Sequence, residues 1–109
     1  MARILIDEKS WIKLTGIFEK LYPKSLIWAY GSRIDGTAHS GSDLDLAIVD
    51  YGQDDRDYMG LKKAIQESNI PFLIDIFELD KLPDSFQQEI KRSYAVLYNG
   101  KVQRNLGVP

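Results

Sequence analysis

The chain has 109 residues, of which 44% are hydrophobic and 28% charged, and its formal net charge is −2. This length suits one hydrophobic core, and the composition is typical of a folded protein rather than a disordered one. Because 14 basic side chains face 16 acidic ones, the overall field attracts neither nucleic acid nor an anionic membrane, and we expect no direct nucleic-acid binding. The absence of cysteine excludes disulfides, thiolate catalysis and cysteine-bound zinc.

The N-terminal stretch MARILIDEKS contains only a short apolar run, unlike the core of a signal peptide. No stretch approaches the length of a membrane span. There are also no repeats and no linker-like segments. We therefore expect a cytoplasmic protein with a single domain over residues 1–109, a motif core at 25–80 and a polar tail at 99–109.

Helical periodicity marks two segments in the first two thirds of the chain. Residues 8–22 carry apolar side chains at helical spacing, with Asp7 or Ser10 as the N-cap and a proline directly after the segment. Residues 55–68 predict a second helix, with apolar side chains on one face. Both helices are amphipathic, which is typical of helices that pack on a sheet.

Three short runs, rich in apolar, aromatic and β-branched residues, predict strands at 25–30, 43–50 and 71–79. A third helix is predicted to begin at Asp84, with Gln87 at the spacing of a capping box. Residues 94–98 either continue that helix or form a last edge strand. Helices and strands thus mix within one chain, which predicts an α/β or α+β domain.

Two carboxylates stand together on the second predicted strand. Residues two apart in a strand point to the same face, about 6.5–7 Å apart. Asp43 and Asp45 therefore project together, while Leu44, Leu46 and Ile48 point into the core. Two like charges so close repel each other unless a cation lies between them. Mg²⁺ meets that need, because it prefers carboxylate oxygens and completes its shell with water and substrate phosphate.

A third carboxylate, Asp75, lies within the apolar run FLIDIF. Burial of an isolated carboxylate there would cost several kcal/mol. Three arrangements avoid this cost: an arginine partner, exposure at a strand edge, or a position facing Asp43 and Asp45 across adjacent strands. The last arrangement would complete a cluster of three carboxylates.

The turn YGSRIDG follows the first predicted strand. Gly31 has no side chain to keep a phosphate from the backbone, and the Ser32 hydroxyl and Arg33 guanidinium lie beside it. The loop that follows is long enough to bring this turn and the carboxylates into one pocket. Such a pocket suits attack on the α-phosphate of a nucleotide, commonly with two metal ions about 3.5–4 Å apart. Asp75 would then act as the general base or as a further metal ligand.

Together, GSRIDGTAHSGSDLDLAIV and the later LIDIF resemble the minimal nucleotidyltransferase family of the DNA polymerase β superfamily. The family pattern is Gly-Ser, a spacer, Ser-Asp-x-Asp-Leu and a later acidic residue. The matching positions are Gly31, Ser32, Ser42, Asp43, Asp45, Leu46 and Asp75. The resemblance extends over about residues 8–98. It departs at Asp35, where many relatives have a basic residue.

The resemblance implies an α+β fold, in which helices flank a mixed sheet. It implies that Asp43 and Asp45 hold Mg²⁺, with Asp75 as base or third ligand. It also implies that Ser32 contacts a phosphate and that Ser42 belongs to the nucleotide site, with ATP as substrate. Chains of this size resemble type VII antitoxins that transfer AMP onto a tyrosine of a HEPN-domain toxin encoded nearby. The acceptor residue, the nucleotide preference and any homo- or hetero-oligomer stay open.

Three alternatives remain. The first keeps the chemistry but changes the acceptor to a small hydroxylated molecule, as in aminoglycoside nucleotidyltransferases. A non-catalytic antitoxin would block its partner by contact alone, but it would have no need for a repelling carboxylate cluster. A purely structural domain would leave the three acids uncompensated.

Overall fold

The computed structural model describes residues 4–35 and 43–101, apart from the side chains of Ser32 and Asp35. Within this part of the chain, four strands form one sheet. The strands are β1 (Leu26–Tyr30), β2 (Leu44–Asp50), β3 (Ile74–Glu78) and β4 (Tyr94–Asn99). The α-helices are α1 (Glu8–Leu21), α2 (Ser32–Asp35), α3 (Tyr58–Gln66) and α4 (Asp84–Arg92), and a 3₁₀ helix spans Leu79–Lys81.

The strand order across the sheet is β3-β2-β1-β4. β1 runs antiparallel to both β2 and β4, whereas β2 and β3 are parallel. The sheet is therefore mixed and β3 and β4 form its edges, which confirms the predicted α+β fold. The segment left undecided by the sequence is β4, an edge strand that begins directly after α4 ends.

The two faces of the sheet bury different sets of side chains. Leu44, Leu46 and Ile48 lie in the main core, with residues of α1 and α3. Ala47 points to the opposite face and packs with Tyr30, Leu79 and Ile90. The predicted alternation of β2 is thus confirmed: its leucine and isoleucine side chains anchor the strand, and the opposite face is the one that carries Asp45.

The helix starts differ in how they are capped. The Asp7 carboxylate accepts a hydrogen bond from the Ser10 backbone N–H at 3.0 Å, so Asp7 is the N-cap of α1 and Ser10 lies inside the helix. The predicted capping box of α4 is wrong, because Asp84 is already the first helical residue. The Gln87 side-chain amide instead donates to the carbonyl of Leu82 at 2.9 Å.

The C-terminal tail was predicted to begin at Asn99, but this residue is the last one of β4. The next residue continues the ordered path, since the Gly100 N–H donates to the Ser25 carbonyl at 2.8 Å. Residues 102–109 of the predicted tail lie outside the described part of the chain. Among the helices that the structure describes, none combines the length and apolar character needed to cross a membrane.

Candidate active site

The sheet register places two of the predicted carboxylates side by side. Asp45 of β2 is the direct partner of Asp75 in the parallel strand β3. Paired residues of neighbouring strands point to the same face, and the strands lie about 4.8 Å apart. Asp43 directly precedes β2 and is exposed. The structure therefore brings Asp45 and Asp75 together at one edge of the sheet, with Asp43 at the start of the same strand.

The position of Asp75 avoids the cost of burying an isolated carboxylate, and it does so by two of the three arrangements that the sequence suggested. It is exposed, because β3 is an edge strand, and it also faces Asp45 across the sheet. Its neighbours on the same face, Leu73 and Phe77, are 71% and 40% exposed. The Asp75 side chain is thus accessible at an open edge of the sheet.

The electrostatics confirm that these acids repel. The pKa of Asp45 is raised above its ordinary value, first because partial burial removes water from the carboxylate, and then because Asp75 and Asp43 carry like charges nearby. A cation between the carboxylates would relieve this repulsion.

Tyr30 is a neighbour that the sequence did not reveal. It is the antiparallel strand partner of Asp45 and is almost fully buried. Burial, followed by the charges of Asp45 and Asp75, raises the pKa of Tyr30 to about 12, so its hydroxyl stays protonated. Its position just before Gly31 was visible in the sequence, but its pairing with Asp45 depends on the register of β1 and β2.

Gly31 is required at its position for two reasons. Its φ angle is +86°, in the region that side-chain-bearing residues rarely adopt. A Cβ atom there would lie 2.5 Å from Oδ2 of Asp45, far inside van der Waals contact. The turn therefore adjoins Asp45.

The remaining predicted nucleotide contacts are only partly described. Ser32 begins α2, but its side chain is outside the described atoms, and Ser42 is outside the described residues. Arg33 is 7% exposed, and its guanidinium lies 4.1 Å from the centre of the Phe72 ring. It also donates to the Leu5 carbonyl at 2.6 Å. These contacts are structural, and a phosphate contact by Arg33 stays a prediction.

The donor set suits Mg²⁺ in its chemistry. Asp45 and Asp75 supply hard oxygen ligands from adjacent strands, and Mg²⁺ often uses only one or two carboxylates together with water and substrate phosphate. In the described part of the chain, no three acidic or imidazole side chains are grouped closely enough to hold a metal ion. A site in which all three aspartates bind the metal therefore stays a prediction.

Residues of this site line two separate cavities. One, of about 240 Å³, includes Gly31 in its wall, and the other, of about 440 Å³, includes Asp75. A larger cavity of about 750 Å³ between α1 and β4 shares no residue with the carboxylate site.

Comparison with known proteins identifies the arrangement. The family model "Polymerase beta, Nucleotidyltransferase" matches residues 13–103. This chain belongs to the polymerase β nucleotidyltransferase family. Its carboxylate pair and glycine turn are therefore parts of a nucleotidyltransferase, an enzyme that transfers a nucleoside monophosphate.

Two known proteins resemble this nucleotidyltransferase, one in sequence and one in fold. It is 34% identical over 99 residues to a "Probable protein adenylyltransferase MntA" of Haemophilus influenzae. The aligned residues make up 88% of this chain and 85% of the relative. A solved structure of a toxin–antitoxin with AMP-PNP aligns with a TM-score of 0.64 and 23% identity, over 87% of this chain and 76% of that one. The second likeness shows the shared fold.

Proposed function

We propose that this nucleotidyltransferase is a Mg²⁺-dependent protein adenylyltransferase that transfers AMP from ATP to a tyrosine of a HEPN-domain toxin encoded nearby. It would thus be the antitoxin of a type VII toxin–antitoxin system. The observation that carries the proposal is the in-register pair Asp45–Asp75, directly beside Gly31. The adenylyltransferase relative and the toxin–antitoxin neighbour support the choice of acceptor class. An ATP-consuming reaction of this kind fits the cytoplasm.

The proposed reaction is a displacement at phosphorus. The tyrosine oxygen bonds to the α-phosphorus of ATP, the bond from that phosphorus to the bridging oxygen breaks, and pyrophosphate leaves. Asp75, exposed beside the reacting centre, accepts the phenolic proton. Mg²⁺, held by Asp43 and Asp45 and commonly present as two ions in such enzymes, would neutralise phosphate charge and lower the pKa of the attacking hydroxyl.

The exposure of the site favours a macromolecular acceptor over a small one. Asp75 lies on an edge strand between two exposed apolar side chains, Leu73 and Phe77. Exposed apolar side chains around the catalytic carboxylate are accessible to a protein surface.

The test uses the purified chain, Mg²⁺, ATP labelled at the α-phosphate, and the HEPN-domain protein encoded by the neighbouring gene. We expect label on a tyrosine of that protein and loss of its toxicity. Asp43→Asn with Asp45→Asn, and separately Asp75→Asn, should abolish labelling. A matched double variant of exposed acids in the β2–α3 loop, Asp54→Asn with Asp55→Asn, should leave it unchanged.

If no label reaches the partner, while the Asp43→Asn, Asp45→Asn variant still neutralises it, the enzymatic proposal fails. The protein would then act as a binding antitoxin. Omission of Mg²⁺ with a chelator should stop labelling as completely as the aspartate variants do.

A further inference from the structure

The smaller cavity beside the carboxylates lies between the end of β1 and helix α4 and measures about 240 Å³. Its lining residues are Tyr30, Gly31, Phe86, Glu89, Ile90 and Ser93. Gly31 connects it to the reaction centre, because the same glycine lies against Oδ2 of Asp45. Only Gly31 would therefore separate a group in this cavity from the Asp45 carboxylate, which is expected to face the α-phosphate.

Aromatic rings form the wall on one side of this cavity. Phe86 of α4 meets Tyr30 edge to face, with ring centres 6.0 Å apart and an angle of 87° between the planes. This contact leaves Phe86 40% exposed, whereas Tyr30 is only 8% exposed. A large exposed aromatic side chain beside an enzyme's reaction centre is suited to stack on a flat ligand.

Away from the Gly31 backbone, the side chains of the cavity offer no positive charge to a phosphate. None of its lining residues is lysine or arginine, and Glu89 adds a carboxylate. Glu89 uses Oε2 to accept from Arg92 at 2.6 Å. The Glu89 carboxylate and the Ser93 hydroxyl are acceptors that suit an uncharged heterocycle with an exocyclic amine.

We propose that this cavity binds the adenine base of ATP, with Phe86 as its stacking surface. The inference rests on the proposed function, because it assumes that ATP is the substrate. It assigns a base-recognition role to α4, which carries none of the family's motif residues.

The second cavity supports this division of the site. It measures about 440 Å³, is partly lined by Lys62, Gln66, Leu73 and Asp75, and opens at the β3 edge. The proton-accepting carboxylate Asp75 thus belongs to a different cavity from the one that contains Phe86. A nucleotide base beside Gly31 would therefore leave the Asp75 cavity open for the acceptor hydroxyl.

The test measures binding of two probes to the full chain by calorimetry: MgATP, and inorganic triphosphate with Mg²⁺, which lacks the base. We expect Phe86→Ala to weaken MgATP by about 10-fold or more and to change triphosphate binding less than about 2-fold. Phe86→Leu keeps apolar volume without a ring and should fall between Phe86→Ala and the wild type. Trp11→Ala is the matched control, since Trp11 is 44% exposed on α1, away from the carboxylates, and should change neither affinity.

The outcomes separate the inference from the proposed function. If Phe86→Ala and Phe86→Leu leave MgATP affinity unchanged but slow AMP transfer to the partner, the cavity serves the acceptor and the inference is wrong. Equal weakening of both probes would also overturn it, because the effect would not depend on the base. If the wild type binds MgATP with the expected dependence on Phe86 but labels no partner, the inference holds and the proposed function fails. Thermal denaturation of each variant checks that the fold is intact.

Discussion

Gly31 shows how one residue can serve both backbone geometry and catalysis. A glycine after a strand is common, and the sequence predicted only that its missing side chain admits a phosphate. In the structure, its positive φ and its contact with Asp45 leave no room for even a methyl group. The second reason depends on β1 and β2 lying side by side, which the local sequence does not specify.

Replacement of this glycine should damage activity more than folding. Gly31→Ala would strain the backbone by about 1–2 kcal/mol and push the Asp45 carboxylate from its place beside Asp75. We expect AMP transfer to fall by about 10-fold or more, measured with α-labelled ATP, while the thermal midpoint drops by only a few degrees. Gly16→Ala in α1 is the control, because a Cβ at Gly16 meets nothing within 4 Å. It should preserve activity and raise stability by about 0.5–1 kcal/mol. Normal transfer by Gly31→Ala would contradict this role.

The carboxylates differ in how far the sequence could predict them. Asp43 and Asp45 lie in one predicted strand, so the period of two predicts a shared face, although β2 begins only at Leu44. Asp75 comes thirty residues later, and its pairing with Asp45 follows from the parallel register of β2 and β3. Tyr30 was missed entirely, because an aromatic residue at the end of an apolar strand looks like ordinary core.

At the scale of elements, the sequence predicts best those helices and strands whose bounds are set by residues near them in the chain. α1 has both a periodic apolar face and a capping aspartate, and its predicted bounds are confirmed to within a residue. The predicted helix at 55–68 begins later, at Tyr58, because the Asp57 carboxylate caps it by accepting from the Gly60 N–H at 3.0 Å. The strand predicted at 71–79 is shorter, at Ile74–Glu78, since only these residues find partners in β2.

The cap of α1 should make its stability depend on acid. Hydrogen bonding from Ser10 holds the pKa of Asp7 below its ordinary value of 3.8. Because the folded pKa is the lower one, the ionised cap stabilises the fold above the unfolded pKa, and this stability is lost as pH falls through the folded pKa. Asp7→Ala should lower the thermal midpoint at neutral pH. Asparagine also caps helices well but carries no charge. The thermal midpoint of Asp7→Asn should therefore change less than that of the wild type between about pH 5 and pH 3. An identical acid dependence in Asp7→Asn would show that the Asp7 charge contributes nothing.

At the scale of the whole molecule, Arg33 joins segments that are far apart in sequence. Its side chain bonds to Leu5 before α1 and stacks on Phe72 before β3. The backbone adds a further link, since the Leu5 N–H donates to the Arg33 carbonyl at 2.9 Å. The residue after the predicted phosphate turn thus holds together the N-terminal segment and the segment that leads to Asp75.

Variants of Arg33 should distinguish this packing role from the predicted phosphate contact. Arg33→Lys keeps the positive charge but loses the planar guanidinium that stacks on Phe72 and donates to the Leu5 carbonyl. We expect the free energy of unfolding, measured in urea, to fall by about 1–3 kcal/mol. Its MgATP affinity should stay within about 2-fold of the wild type under conditions where the protein is folded. Arg56→Lys is the control, because Arg56 is exposed and lies 5.4 Å from the Tyr51 ring centre, and should change stability little. A large loss of MgATP affinity with unchanged stability in Arg33→Lys would assign the guanidinium to the phosphates.

The sequence by itself determined what local periodicity and spacing encode: three of the helices, three of the strands and the nucleotidyltransferase motif. It left residues 94–98 open, because a short apolar run fits a helix or a strand equally well until a neighbour offers hydrogen bonds. Pairing with β1 made that run an edge strand, and pairing with β2 brought Asp75 to Asp45. Hydrogen bonds between strands join backbone atoms, so the local sequence does not specify which residues pair. Only the complete sheet decides the strand register, the fit of Gly31 against Asp45 and the burial of Arg33.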